Sequence, residues 1–87
     1  MNDQLRRITA SAYQIAQANA IANPDQVRQI TGLLVEKICD GLDHAAALEA
    51  ARHLAHDLRD KNRRSAAVTN LLADINQLAL FRPQALN

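Results

Sequence analysis

Apolar residues recur along this chain at steps of three and four. Leu5, Ile8, Ala12, Ile15 and Ala22 form the first stripe, with Asn19 as its one polar stop. At 3.6 residues per turn these positions share a face, so the spacing predicts a helix over about residues 3–22. Ile21 lies well off that face. Asn23-Pro24-Asp25 marks the clearest boundary in the chain. Asn23 suits an N-cap, Pro24 the first helical position, and Asp25 the positive end of a helix. A second helix over about 24–40 carries Val27, Ile30, Leu34 and Ile38, and Leu33, Val35 and Cys39 widen its apolar arc. Gly41 suits the left-handed residue that closes a helix.

Asp43 is a candidate N-cap for the next segment, whose inner face reads Ala47, Leu48, Ala51, Leu54, Ala55 and Leu58. A polar run, Arg59 to Ser65, separates it from another clean stripe of Val68, Leu71, Leu72, Ile75, Leu78 and Ala79. Pro83 is expected to end that stripe near Phe81, because the residue before a proline disfavours the helical region. No glycine or proline interrupts Asp43 to Phe81, and Asp57/Lys61 and Asp60/Arg64 have i,i+4 spacing, which favours one continuous helix. The later stripe, however, is rotated by about 120° from the earlier one. A break near Lys61–Ser65, with Asn62 as a left-handed terminator and Ser65 as a cap, lets both stripes meet one core. The reading is therefore all-α: one domain over 1–87, built as a small antiparallel bundle of four helices at about 3–22, 24–40, 43–61 and 65–81, with short loops. The alternative is three helices with a long last helix whose two faces pack against different subunits.

Composition adds one physical constraint. Alanine is the most frequent apolar residue, and Tyr13 and Phe81 are the only rings. A core of this kind in 87 residues buries little area, so self-association as a homodimer is expected. Ten basic and nine acidic side chains leave a net charge of +1, which supports no general attraction to nucleic acid or acidic lipid. Cys39 is the only cysteine, which excludes an intramolecular disulfide and a zinc site built on several cysteines. It is expected to be a small buried apolar residue. No stretch is apolar enough for a membrane span. Ser11, Tyr13, Gln14 and Gln17 interrupt any apolar signal-peptide core, so the expected location is cytoplasmic.

Candidate chemistry is sparse. No nucleophile elbow, glycine-rich phosphate loop or zinc-protease motif is present, so neither enzymatic activity nor a cofactor is expected. Glu49, His53, His56 and Asp60 follow steps of four, three and four, which puts two imidazoles and two carboxylates on one helical face. Such ligands suit zinc or iron, and a metal binder is one alternative. That face lies opposite Ala51, Leu54 and Leu58, however, and is expected to meet water. His44, in the first turn of its helix, reads as a boundary residue. Arg59, Lys61, Arg63 and Arg64 form a basic cluster that could hold phosphates, making a small nucleic-acid-associated regulator a second alternative. Asp57 and Asp60 interleave with the cluster, and no aromatic stands beside it to stack a base. Ile21, Leu33, Leu80 and Phe81 fall off the core stripes and are the candidate protein-binding residues. The leading reading is a non-enzymatic helical interaction module: a small regulator, adaptor or inhibitor that binds another protein. It is expected to pair as a homodimer through its second and last helices.

Overall fold

The computed structural model describes residues 3–86, with side chains to Ala79. Three helices follow one another: α1 over Asp3–Ala18, α2 over Pro24–Cys39 and α3 over His44–Leu86. No strand occurs among the described residues. The all-α expectation holds, and of the two arrangements it is the three-helix one that forms. No break occurs at Lys61–Ser65. Residues 44–86 make a single helix of 43 residues, and no glycine or proline between His44 and Phe81 interrupts it. Pro83 does not end it at Phe81 either, because helix continues to Leu86. At about 1.5 Å per residue α3 alone spans about 65 Å, which accounts for the molecular dimensions of 69 × 22 × 17 Å.

Local side-chain chemistry sets the other helix ends. Asn23 accepts hydrogen bonds from the backbone N–H groups of Asp25 at 2.8 Å and Gln26 at 3.4 Å, capping α2 behind Pro24. Asp43 accepts from the N–H of Ala46 at 2.8 Å and caps α3. The C-terminus of α2 closes with Gly41 at φ 89°, where the N–H of Gly41 donates to Ile38 and that of Leu42 to Lys37. These three caps match the sequence reading.

The end of α1 does not. It stops at Ala18 rather than near residue 22, by the same double-bonded turn. The N–H of Ala20 donates to Gln17 and that of Ile21 to Ala16, with Ala20 at φ 54°. This is a Schellman motif with alanine where glycine is usual. The side chain of Asn19 donates to the carbonyl of Ile15 at 2.9 Å and satisfies a further terminal acceptor.

The core is small and alanine-lined. Ile8, Ala12, Ile15 and Ala16 of α1, Ile21 of the link, Ile30 and Leu34 of α2, and Ala47, Ala51, Ala55 and Leu58 of α3 are buried together. Val27, Ile38, Leu48 and Leu54 pack around them. Alanines at four-residue steps on α3 leave space for Ile30 and Leu34, the two largest side chains that are fully enclosed. Leu5 and Ala22, assigned to the α1 stripe by spacing, are exposed. Leu5 lies in the first turn of its helix, and Ala22 lies in the link after the turn.

The three helices form this head only along the first part of α3. Among the described side chains Asn62 is the last half-buried one of that helix, and from Arg63 to Ala79 every side chain is exposed. The second half of α3 is thus a free helical arm. Val68, Leu71, Leu72, Ile75, Leu78 and Ala79, expected to enter a common core, leave it because an unbroken helix cannot turn a stripe through about 120° to face α1 and α2.

Candidate functional site

The arm is helical for reasons that reside in its own residues. Ser65 to Ala79 is rich in alanine and leucine, good helix formers, and it contains no glycine or proline. Its apolar stripe stands in the open: Val68 is 56%, Leu71 60%, Leu72 54%, Ile75 50% and Leu78 60% exposed. Scattered exposed leucines are ordinary, but five on one face of one helix make a continuous patch. Between Ala66 and Ala79 the only charged residue is Asp74. The chain's surface is 6607 Å², whereas a compact folded monomer of its mass shows about 5,100 Å².

The basic cluster sits where the arm leaves the head. Arg59 is half-buried, while Lys61, Arg63 and Arg64 are exposed. Arg59 Nε is buried without a hydrogen-bond partner, with Asp60 Oδ1 at 3.6 Å. Among the described residues the remaining ion pair is Arg28–Asp25 at 2.8 Å, on the surface of α2. The Asp57/Lys61 and Asp60/Arg64 pairs suggested by spacing are not closed. Arg52, His56 and Arg59 also line a groove of about 330 Å³ between α3 and α1, facing Ser11, Gln14 and Asn19. Its lining includes no carboxylate, which suits a small anion. Arg52 and His56 are exposed, however, so water and salt screen them.

Glu49, His53, His56 and Asp60 are all exposed on α3, with His56 at the edge of the groove against α1. Among the described residues no three His, Cys, Asp or Glu side chains converge to hold a metal ion. Among the described residues no helix is long and apolar enough to cross a membrane. Cys39 is exposed at the end of α2, not buried as expected, because the α2 face that meets the core is centred on Ile30 and Leu34.

Of the four residues singled out for protein binding, Ile21 and Leu33 have side chains in the described part of the structure. Ile21 is 5% exposed and belongs to the core, carried there by the turn after α1. Leu33 is half-buried on α2. The side chains of Leu80 and Phe81 lie outside the described part of the structure. Among the described side chains the continuous open apolar surface is the arm stripe, which the sequence displays plainly. Only its destination differs from the reading. A second, larger and mainly apolar groove of about 620 Å³ runs along α1 and α2, bordered by Thr9, Tyr13, Val27 and Thr31.

The chain matches no protein-family model, no curated protein and no solved structure.

Proposed function

We propose that this protein is a non-enzymatic helical interaction module that docks on protein through the arm of α3. One observation carries this reading: a continuous apolar stripe on a helix that no described part of its own chain covers. Such a face is costly in water and gains most by meeting a complementary apolar helix or groove. The head then serves as the folded base that holds the first half of α3, and the arm serves as the recognition element. A role as regulator, adaptor or inhibitor follows from this plan, since the chain acts by occupying a surface and not by turning over a substrate.

The test compares wild type with Leu71→Glu/Ile75→Glu, recovered from native cells under mild conditions and sized by light scattering. Wild type is expected in a species heavier than one chain. The double variant is expected at single-chain mass with its helix content retained. A wild-type chain that runs alone, together with a variant that keeps full biological activity, defeats the reading.

A further inference from the structure

The layers of the arm fall into a heptad register. Val68 and Ile75 occupy position a, and Leu71 and Leu78 occupy position d, so both a residues are β-branched and both d residues are leucine. This is the combination that packs best in a parallel two-stranded coil, where each layer sets a residue against its own copy. Leu72 and Ala79 fall at position e and line the rim of the seam. Positions that usually encode a different partner by charge are nearly silent here. Among Ala67, Leu72, Asp74 and Ala79 at g and e, one residue is charged. A helix without that code is suited to a second copy of itself. We infer that the arm's occupant is a second copy of this chain, paired in parallel over the layers Val68, Leu71, Ile75 and Leu78. This rests on the reading of the arm as a docking helix.

Three further observations favour the pairing and its direction. The chain exposes about 1,500 Å² more than a compact monomer of its mass, and a standard interface takes about 800 Å² from each partner. One arm-to-arm contact is therefore within what the chain has to cover. Antiparallel overlap of the same four layers centres on the stretch between Leu71 and Ile75 and brings Asp74 against its own copy. Parallel pairing sets Asp74 beside Ala79 instead. Lys61 and Arg64, which occupy a and d in the layers before Ser65, oppose pairing there. In a parallel pair they set like charges against each other, so the seam starts at Val68 and the helices splay towards the two heads. The stripe also points about 120° away from the α3 face that α1 and α2 cover, so the partner helix does not compete with them.

The experiment uses the full chain with Cys39→Ser, which removes the native thiol, and adds Ile75→Cys. Position 75 lies on an exposed face, so the head folds independently of the change. Purified protein at micromolar concentration is sized by light scattering and then oxidised with diamide. The expected result is a two-chain mass and a disulfide between the two copies of position 75, with Ile75→Glu weakening association by roughly 100-fold or more. A two-chain mass without the disulfide overturns the parallel register, since antiparallel pairing sets Ile75 against Leu71. A trimer or larger species overturns the two-stranded form. A single-chain mass at every concentration overturns the whole inference. The docking reading survives any of these results if the native complex still depends on Leu71 and Ile75, and it fails separately if it does not.

Discussion

Gln26 and Asn62 hold each other by two hydrogen bonds, each amide donating to the other's carbonyl oxygen at 2.9 Å. They stand 36 residues apart in sequence and join the first turn of α2 to the point where α3 leaves the head. Spacing suggested Asn62 as a helix terminator. In the fold its side chain binds a neighbouring helix while its backbone continues the helical run. Replacing either residue by alanine leaves a half-buried amide unpaired and is expected to cost about 1 kcal/mol in denaturant unfolding. The double variant is expected to cost clearly less than the two single losses together. Full additivity would show that the pair contributes nothing as a pair.

Leu34 and Leu72 separate the head from the arm. Leu34 is 0% exposed and Leu72 54% exposed. Leu34→Ala is expected to lower stability by about 2–5 kcal/mol at any protein concentration, through the cavity it leaves. Leu72→Ala is expected to leave the dilute chain almost unchanged and to reduce only the part of its stability that depends on concentration. Melting curves at several concentrations distinguish the two effects. Equal, concentration-independent losses would place Leu72 in the core after all.

Gly32, Gly41 and Ala20 have opposite expected responses. Gly32 lies inside α2 with open space where a Cβ would be, so Gly32→Ala is expected to add about 1 kcal/mol of stability. Gly41 has φ 89°, and Gly41→Ala is expected to remove about 1 kcal/mol. Ala20 has φ 54° at the end of α1, and Ala20→Gly is expected to gain up to about 1 kcal/mol. Thermal unfolding gives all three signs, and a stabilising Gly41→Ala would contradict the left-handed turn.

Small-angle scattering tests the length of α3 directly. The single chain has a radius of gyration of 19.7 Å and a longest extent of 69 Å. A compact domain of this size has a radius of about 12 Å. Data from dilute protein are expected to fit the elongated value. A radius near the compact one would mean that the arm folds back as a fourth helix.

Arg63 and Arg64 are exposed at the base of the arm. Replacing both by alanine is expected to change stability by well under 1 kcal/mol, because exposed charges pair weakly. Retention of wild type on a DNA column at physiological salt, lost in this variant, would turn the functional reading towards nucleic acid.

The sequence by itself determined the all-helical class, the caps at Asn23, Gly41 and Asp43, and most of the inner face of each head segment. Asn23, Asp43 and the turn at Gly41 act through hydrogen bonds spanning two to five positions, Pro24 acts through its fixed φ, and the stripe Val27, Ile30, Leu34 and Ile38 needs only helical periodicity to be seen. The turn at Ala20 escaped notice because alanine rarely takes a left-handed conformation, and only the bonds from Ala20 and Ile21 back to α1 reveal it. Which apolar stripes share a core was decided in three dimensions. The residues Val68 to Leu78 have the same spacing as a buried face, and spacing carries no information about what lies opposite. Continuity of α3 through Asn62 rotated that face away from α1 and α2. The same residues that would have completed a fourth helix became an uncovered arm.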